Sequence, residues 1–360
     1  MFRLDEVPRI LTVLDDFYAF ANPIYKDNGK RFKFLQPVKH MLFDDIGSFP
    51  LPEGITRDWI FKNLDTREYE EMVQRAFLMK VNSGVECPNY PQFQDMIEQF
   101  MTIIKNPEYQ DEAYLVSKKH AIIKELEAVE KIECNSVRVC VTGPFELYYK
   151  ELGGVIYDDI LSNLATSISR FVENAVRYNN VKCVSIDEPS LGLSPELQPT
   201  QEQIKLAFEK FKFDVDIQIH LHSPLFYTNL LEINEIDVIG IETAKDRRAM
   251  DLVDLNDLEI HDKKIRIGVA RSDIDGIVAE FNAKYNVNAW KDKKLIAKAI
   301  EEMEDVKTIK NRIIEAYNKF ADRIAYIGPD CGLFSFPSQE TATILLKNTR
   351  KAIDEFREGR

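Results

Sequence analysis

Short apolar runs rich in β-branched residues alternate along this chain with longer stretches in which apolar positions recur every three or four residues. The short runs are Met41–Asp45, Phe77–Asn82, Val137–Val141, Val181–Ile186, Val215–Ile219, Asp237–Ile241, Ile265–Val269 and Ile324–Ile327. They are mostly apolar rather than alternating, which is how strands buried on both faces read. The helical stretches are Asp158–Tyr178, Thr200–Lys210, Leu225–Ile233 and Ile296–Phe320. In the first of these, Ile160, Leu161, Leu164, Ile168, Phe171 and Val172 make one apolar stripe. Eight strands alternating with helices predict an α/β fold, a (β/α)8 barrel over residues 41–360. A doubly wound sheet is the competitor, but no G-x-G-x-x-G turn follows the first strand. The first 40 residues read as a helical N-terminal extension: a helix over Val7–Ala21, then a polar turn near Asn28–Gly29.

Charge narrows the classes of function. The 360 residues hold 47 Lys plus Arg against 60 Asp plus Glu, a net −13. That balance argues against nucleic acid and against anionic membrane surfaces as partners. No apolar run reaches the ~18 residues of a membrane span. The start of the chain has no signal-type apolar region. Cys87, Cys134, Cys140, Cys183 and Cys331 are odd in number and form no C-x-x-C pair. This fits a reducing compartment and predicts a soluble, cytoplasmic protein. Cys134, Cys140 and Cys183 read as small buried hydrophobes.

Chemistry in such a barrel sits after the C-terminal ends of the strands, and the unusual residues of this chain fall there. His222 follows the fifth predicted strand, Glu242 ends the sixth and Cys331 follows the eighth. Imidazole, carboxylate and thiolate from three strand ends suit zinc with one open position. His220 lies two residues before His222 and points the same way. Its expected role is a buried, hydrogen-bonded residue beneath the site, with a fourth ligand as the alternative. Strand alternation sends one of Asp187 and Glu188 inward, where a carboxylate suits an ammonium group; helix capping is the competing role.

The blocks I-G-S-F-P, T-G-P, I-D-E-P-S-L, Q-I-H-x-H, I-x-I-E-T and P-D-C-G-L occur in that order from Ile46 to Leu333. Together they resemble the catalytic C-terminal barrel of cobalamin-independent methionine synthase, in the short single-barrel form typical of archaea. The resemblance covers roughly residues 43–352. It implies zinc-dependent methyl transfer to a thiol, most simply homocysteine. It also implies zinc ligands at His222, Glu242 and Cys331. Homocysteine contacts would lie at Ile46, Gly47 and Ser48, with Asp187 and Glu86 on the amino group.

Three positions depart from the pattern. Pro224 stands where the family has a second zinc cysteine, two residues after the histidine. The family's proton-donating histidine is absent from Ala270-Arg271-Ser272-Asp273, leaving Asp273 or Arg271 as candidate acid. Phe145, Tyr148 and Tyr149 stand where a folate-stacking tryptophan is expected. A donor whose leaving group needs no proton, such as a methyl-corrinoid or a methyl-corrinoid protein, suits these losses. Two other readings are a paralogue that methylates a different thiol and a barrel that binds a ligand or partner without catalysis.

Overall fold

The computed structural model describes residues 41–359. The N-terminal extension, with its expected helix over Val7–Ala21, lies outside the described residues. Seven strands form one parallel sheet: β1 (Leu42–Phe43), β2 (Val137–Thr142), β3 (Val181–Asp187), β4 (Asp216–Leu221), β5 (Val238–Ile241), β6 (Lys264–Ala270) and β7 (Ile324–Pro329). Their order across the sheet is β1-β7-β6-β5-β4-β3-β2. Each expected run other than Phe77–Asn82 thus supplies a strand. β2, β5 and β7 are buried along their whole length, as a largely apolar strand covered on both faces should be, and Arg138 on β2 is the charged exception.

The second expected strand is not formed. Phe77–Asn82 is the end of an α-helix, Arg67–Asn82, whose N-cap Thr66 accepts from the Tyr69 amide. Tyr69, Met72, Val73, Ala76, Phe77 and Lys80 are the buried positions of that helix. The apolar run is therefore the last turns of a helix, with Phe77 and Lys80 buried and Leu78 exposed, a confusion that short runs invite. The stretch that follows lies between the two sheet edges and touches both through isolated parallel bridges: Asp44 with Cys87, Ser48 with Gln92 and Asn89 with Arg138.

Two helical expectations change in detail. The stretch Ile296–Phe320 divides into Lys293–Met303 and Val306–Phe320, because Asp305 caps the second helix through the Thr308 amide. Leu225–Ile233 is largely a 3-10 helix, Pro224–Leu230, with Ser223 at its N-cap. Among the described residues no helix is long and apolar enough to cross a membrane.

The sheet is curled, and a charged cluster inside it links its edges. Asp44 follows β1 at one edge, and Arg138 lies on β2 at the other. Arg138 donates to Asp44 at 2.5 Å and to Gln218 at 2.8 Å. Arg266 on β6 donates to the other Asp44 oxygen at 3.0 Å. All three charged side chains are fully buried. Nearby, Lys80 pairs with Asp45 at 2.7 Å and donates to the Asn89 carbonyl, which ties the 85–92 segment to β1. Removing one member of a buried pair leaves the other charged and unpartnered. Asp44→Ala should therefore cost about 3–5 kcal/mol in urea unfolding; a loss under ~1 kcal/mol would contradict this account of the interior.

Candidate metal and thiol site

Strand alternation builds the site in layers above the charged cluster. Gln218 and His220 on β4 project to the same side because they are two residues apart, and His222 follows just past the strand's end. Gln218 belongs to the charged layer, bonded to Arg138 and to Ser185. Ser185 on β3 donates to Asp187 at 2.8 Å. Asp187 and His220 are partners in the β3–β4 register, and His220 is partnered by Gly240 on β5. Glu242 comes two residues after Gly240, at the end of β5. Cys331 follows β7.

His220, His222, Glu242 and Cys331 each offer one ligand atom, all within 4.8 Å of one another. The His222 Nε2 atom lies 3.4 Å from Glu242 Oε1 and 3.5 Å from Cys331 Sγ. His220 Nε2 lies 3.7 Å from the same Glu242 oxygen. Metal–ligand bonds of about 2.0–2.3 Å place tetrahedral ligands roughly 3.3–3.8 Å apart, so these separations fit a metal. Both ring nitrogens of His220 and Oε1 of Glu242 are buried with no hydrogen-bond partner. Leaving such atoms unsatisfied costs about 1–3 kcal/mol each. This corrects the expectation that His220 is a hydrogen-bonded buried residue.

Each charge state follows from the surroundings. Burial, then His220, holds the His222 imidazole below its ordinary value, favouring the neutral form that ligates metals. Burial pushes Glu242 up, but His220 and His222 outweigh it and keep the carboxylate below its usual range. Burial, then the Glu242 and Asp187 carboxylates, raises the Cys331 thiol well above its ordinary value.

Backbone contacts fix these groups in place. Asp330 accepts from the Thr243, Ala244 and Lys245 amides at 2.9, 2.8 and 2.9 Å, tying the loop after Glu242 to the residue before Cys331. The Leu333 amide donates to the Ser48 carbonyl at 2.8 Å. A Cβ on Gly332 would meet Ser48 Oγ at 2.5 Å, so only glycine lets these loops approach. Gly47 has a φ of +60°, and its amide donates to Cys140 Sγ.

A cavity of about 210 Å³ opens beside the cluster. Of the expected site residues, Ile46, Gly47, Ser48, Asp187, His222 and Cys331 line it, as does His220. Glu242 lies against it through the cluster. Glu188 is turned away and accepts from the Phe145 and Glu146 amides at 3.0 and 2.7 Å. It thus caps the helix Pro144–Leu152, while Asp187 lines the cavity. A larger hollow, about 560 Å³, shares Arg57, Gln94 and Asp95 with the first but none of the four cluster residues.

The structure does not bring Glu86 or Asp273 to the cavity. Glu86 pairs with Arg350 and Arg357 at 3.0 and 2.8 Å and accepts from the Phe43 amide. It sits at the start of the 85–92 segment, the end remote from the site, where Arg350 and Arg357 hold it. Asp273 pairs with Lys245 at 3.3 Å, and Arg271 with Glu280 and Glu304. Phe145, Tyr148 and Tyr149 do not line the cavity either.

Gln92 is a cavity residue that the sequence reading missed. Its side-chain N–H donates to Gln99 Oε1 at 2.8 Å, and Gln99 donates to Glu125 at 3.4 Å. A carboxylate accepts, so the chain of amides leaves the Gln92 oxygen facing the cavity. A Cβ on Gly47 would lie 3.5 Å from that oxygen and 3.7 Å from Asp187 Oδ2. Two acceptors therefore flank one spot. Placing the second stave at 85–92 would have put Gln92 at a strand end.

No family model matches the sequence, and no curated protein matches it. Solved structures do match. The structure of a B12-independent methionine synthase from Shewanella sp. W3-18-1 in complex with selenomethionine aligns with a TM-score of 0.60 at 12% identity, covering 89% of this chain and 98% of that one. A methyltransferase from Methanosarcina mazei aligns with a TM-score of 0.50 at 10% identity, over 89% of this chain and 95% of that one. At these identities the matches show a shared fold, a curled parallel α/β sheet.

Zinc reconstitution followed by elemental analysis should give about one zinc per chain, lost in Cys331→Ser and retained in Cys134→Ser. Equal zinc in wild type and Cys331→Ser would contradict a metal centre at this cluster.

Proposed function

We propose that the protein is a zinc-dependent methyltransferase that places a methyl group on the sulfur of a small amino thiol, homocysteine being the simplest. The observation that carries this reading is one small cavity bordered by both a metal-competent cluster and two acceptors suited to an ammonium group. A volume of about 210 Å³ is below the roughly 300–1,000 Å³ of drug-sized pockets and suits an amino-acid-sized ligand. We read the fold as a (β/α)8 barrel whose second stave is reduced to the 85–92 segment.

His222, Glu242 and Cys331 would hold the zinc. Zinc, when bound, supplies the Lewis acidity that keeps a thiol ionised near neutral pH. Asp187 and the Gln92 oxygen hold the ammonium group, and the Ile46-Gly47-Ser48 loop walls the substrate against the cluster. Ser185 keeps one Asp187 oxygen engaged and so orients the other. Burial raises the Asp187 carboxyl, partly offset by His220, the Ser185 hydroxyl and the two buried arginines, and an ammonium group beside it would favour the ionised form.

A methyl-corrinoid, free or on a carrier protein, is the donor we favour. Its leaving group needs no proton, and the candidate acid Asp273 is engaged with Lys245. Zinc-loaded protein should then methylate homocysteine from methylcobalamin and give no ordinary turnover with a methyltetrahydrofolate. Folate turnover would overturn the donor; no S-methylation of any thiol from either donor would overturn the function. Asp187→Asn should raise KM for homocysteine by about 10–150-fold, the worth of a charge-assisted hydrogen bond of ~1.5–3 kcal/mol. KM for a thiol lacking the amine should stay within about twofold, as the lost contact has no counterpart there. Equal effects on both thiols would point to a substrate without an ammonium group.

A further inference from the structure

His220 is 1% exposed, and neither of its ring nitrogens has a hydrogen-bond partner. Its register neighbours do not supply one: Asp187 is bonded to Ser185, and Gly240 has no side chain. Glu242 Oε1, at 3.7 Å, is too far for a hydrogen bond yet at the separation expected of two ligands on one metal. The rings of His220 and His222 meet edge to face with centroids 5.5 Å apart, so they do not stack and both can turn a nitrogen inward.

We propose that His220 is a fourth protein ligand of the metal, standing in for the thiolate that Pro224 removes. This rests on reading the cluster as a zinc site. The centre is then two imidazoles, one carboxylate and one thiolate. Pro224 itself opens the 3-10 helix Pro224–Leu230, is buried, and offers no ligand atom. His220 approaches from the sheet interior, two residues before His222, on β4. Replacing a thiolate by a neutral imidazole makes the centre one unit more positive. That raises its attraction for an anionic thiol substrate.

Zinc-edge X-ray absorption and chelator competition on the full chain, with His220→Leu and His220→Cys, test this. The zinc-loaded wild type should show one sulfur and three nitrogen or oxygen neighbours. His220→Leu should raise the melting temperature of the metal-free protein, because it removes two buried unsatisfied nitrogens. It should also weaken zinc binding beyond the roughly 10–100-fold that loss of a supporting partner costs. His220→Cys should bring the sulfur count to two and keep zinc tightly bound. Wild-type zinc affinity in His220→Leu, or a single sulfur in His220→Cys, would overturn the assignment while leaving the zinc reading intact. Wild-type protein that takes up no zinc would overturn both.

Discussion

A carboxylate on one edge of a seven-stranded sheet is bonded to a guanidinium on the other edge, and the site depends on that contact. Asp44, just after β1, and Arg138, on β2, belong to the two edges of the sheet order, yet they are 2.5 Å apart and fully buried. Only a strongly curled sheet allows this. Arg266 satisfies the second Asp44 oxygen and reaches the Pro329 and Asp330 carbonyls, so the same cluster grips β7 just before Cys331. Buried ion pairs are costly to desolvate and are weak evidence for net stability. Their value here is geometric: they fix which strand ends converge.

Above this cluster the interior changes character in steps. The lowest layer is charged, with Asp44 held between Arg138 and Arg266. Gln218 in that layer and Ser185 beside it transmit hydrogen bonds upward to Asp187. The layer after that holds His220, whose nitrogens bind nothing, and the mouth holds His222, Glu242 and Cys331. Unpartnered buried atoms also occur elsewhere, on Arg138 for example, but at this spot three of them, from His220 and Glu242, face two further ligand atoms, as expected where a metal completes the bonding. Asp330 contributes without touching the cavity, since its three amide contacts lock the Glu242 loop to the Cys331 loop.

Much of this was legible in the sequence. Strands buried on both faces announce themselves by continuous apolar runs, and seven of the eight expected runs are strands. The strand-end placement of His222, Glu242 and Cys331 followed from that count. The second run misleads because of a helix cap. Phe77–Asn82 is apolar enough for a strand, but Thr66 caps a helix that runs through it. Shifting the second stave to residues 85–92 moves Glu86 from the mouth to the far end and brings Gln92 forward. His220 was misread for a different reason. Spacing gives the direction of a side chain, but whether a buried imidazole finds a partner depends on atoms from other strands. The role of Asp187 against Glu188 likewise needed the helix Pro144–Leu152, whose amides Glu188 caps.

The central claim is that metal and thiol meet in this cavity. Anomalous diffraction from crystals soaked with zinc and selenohomocysteine tests it in one experiment, because zinc and selenium are located independently. The account predicts a zinc peak among His220, His222, Glu242 and Cys331, selenium in direct contact with it, and the amino group against Asp187. Zinc bound elsewhere, or selenium ordered in the cavity away from any metal, would contradict it.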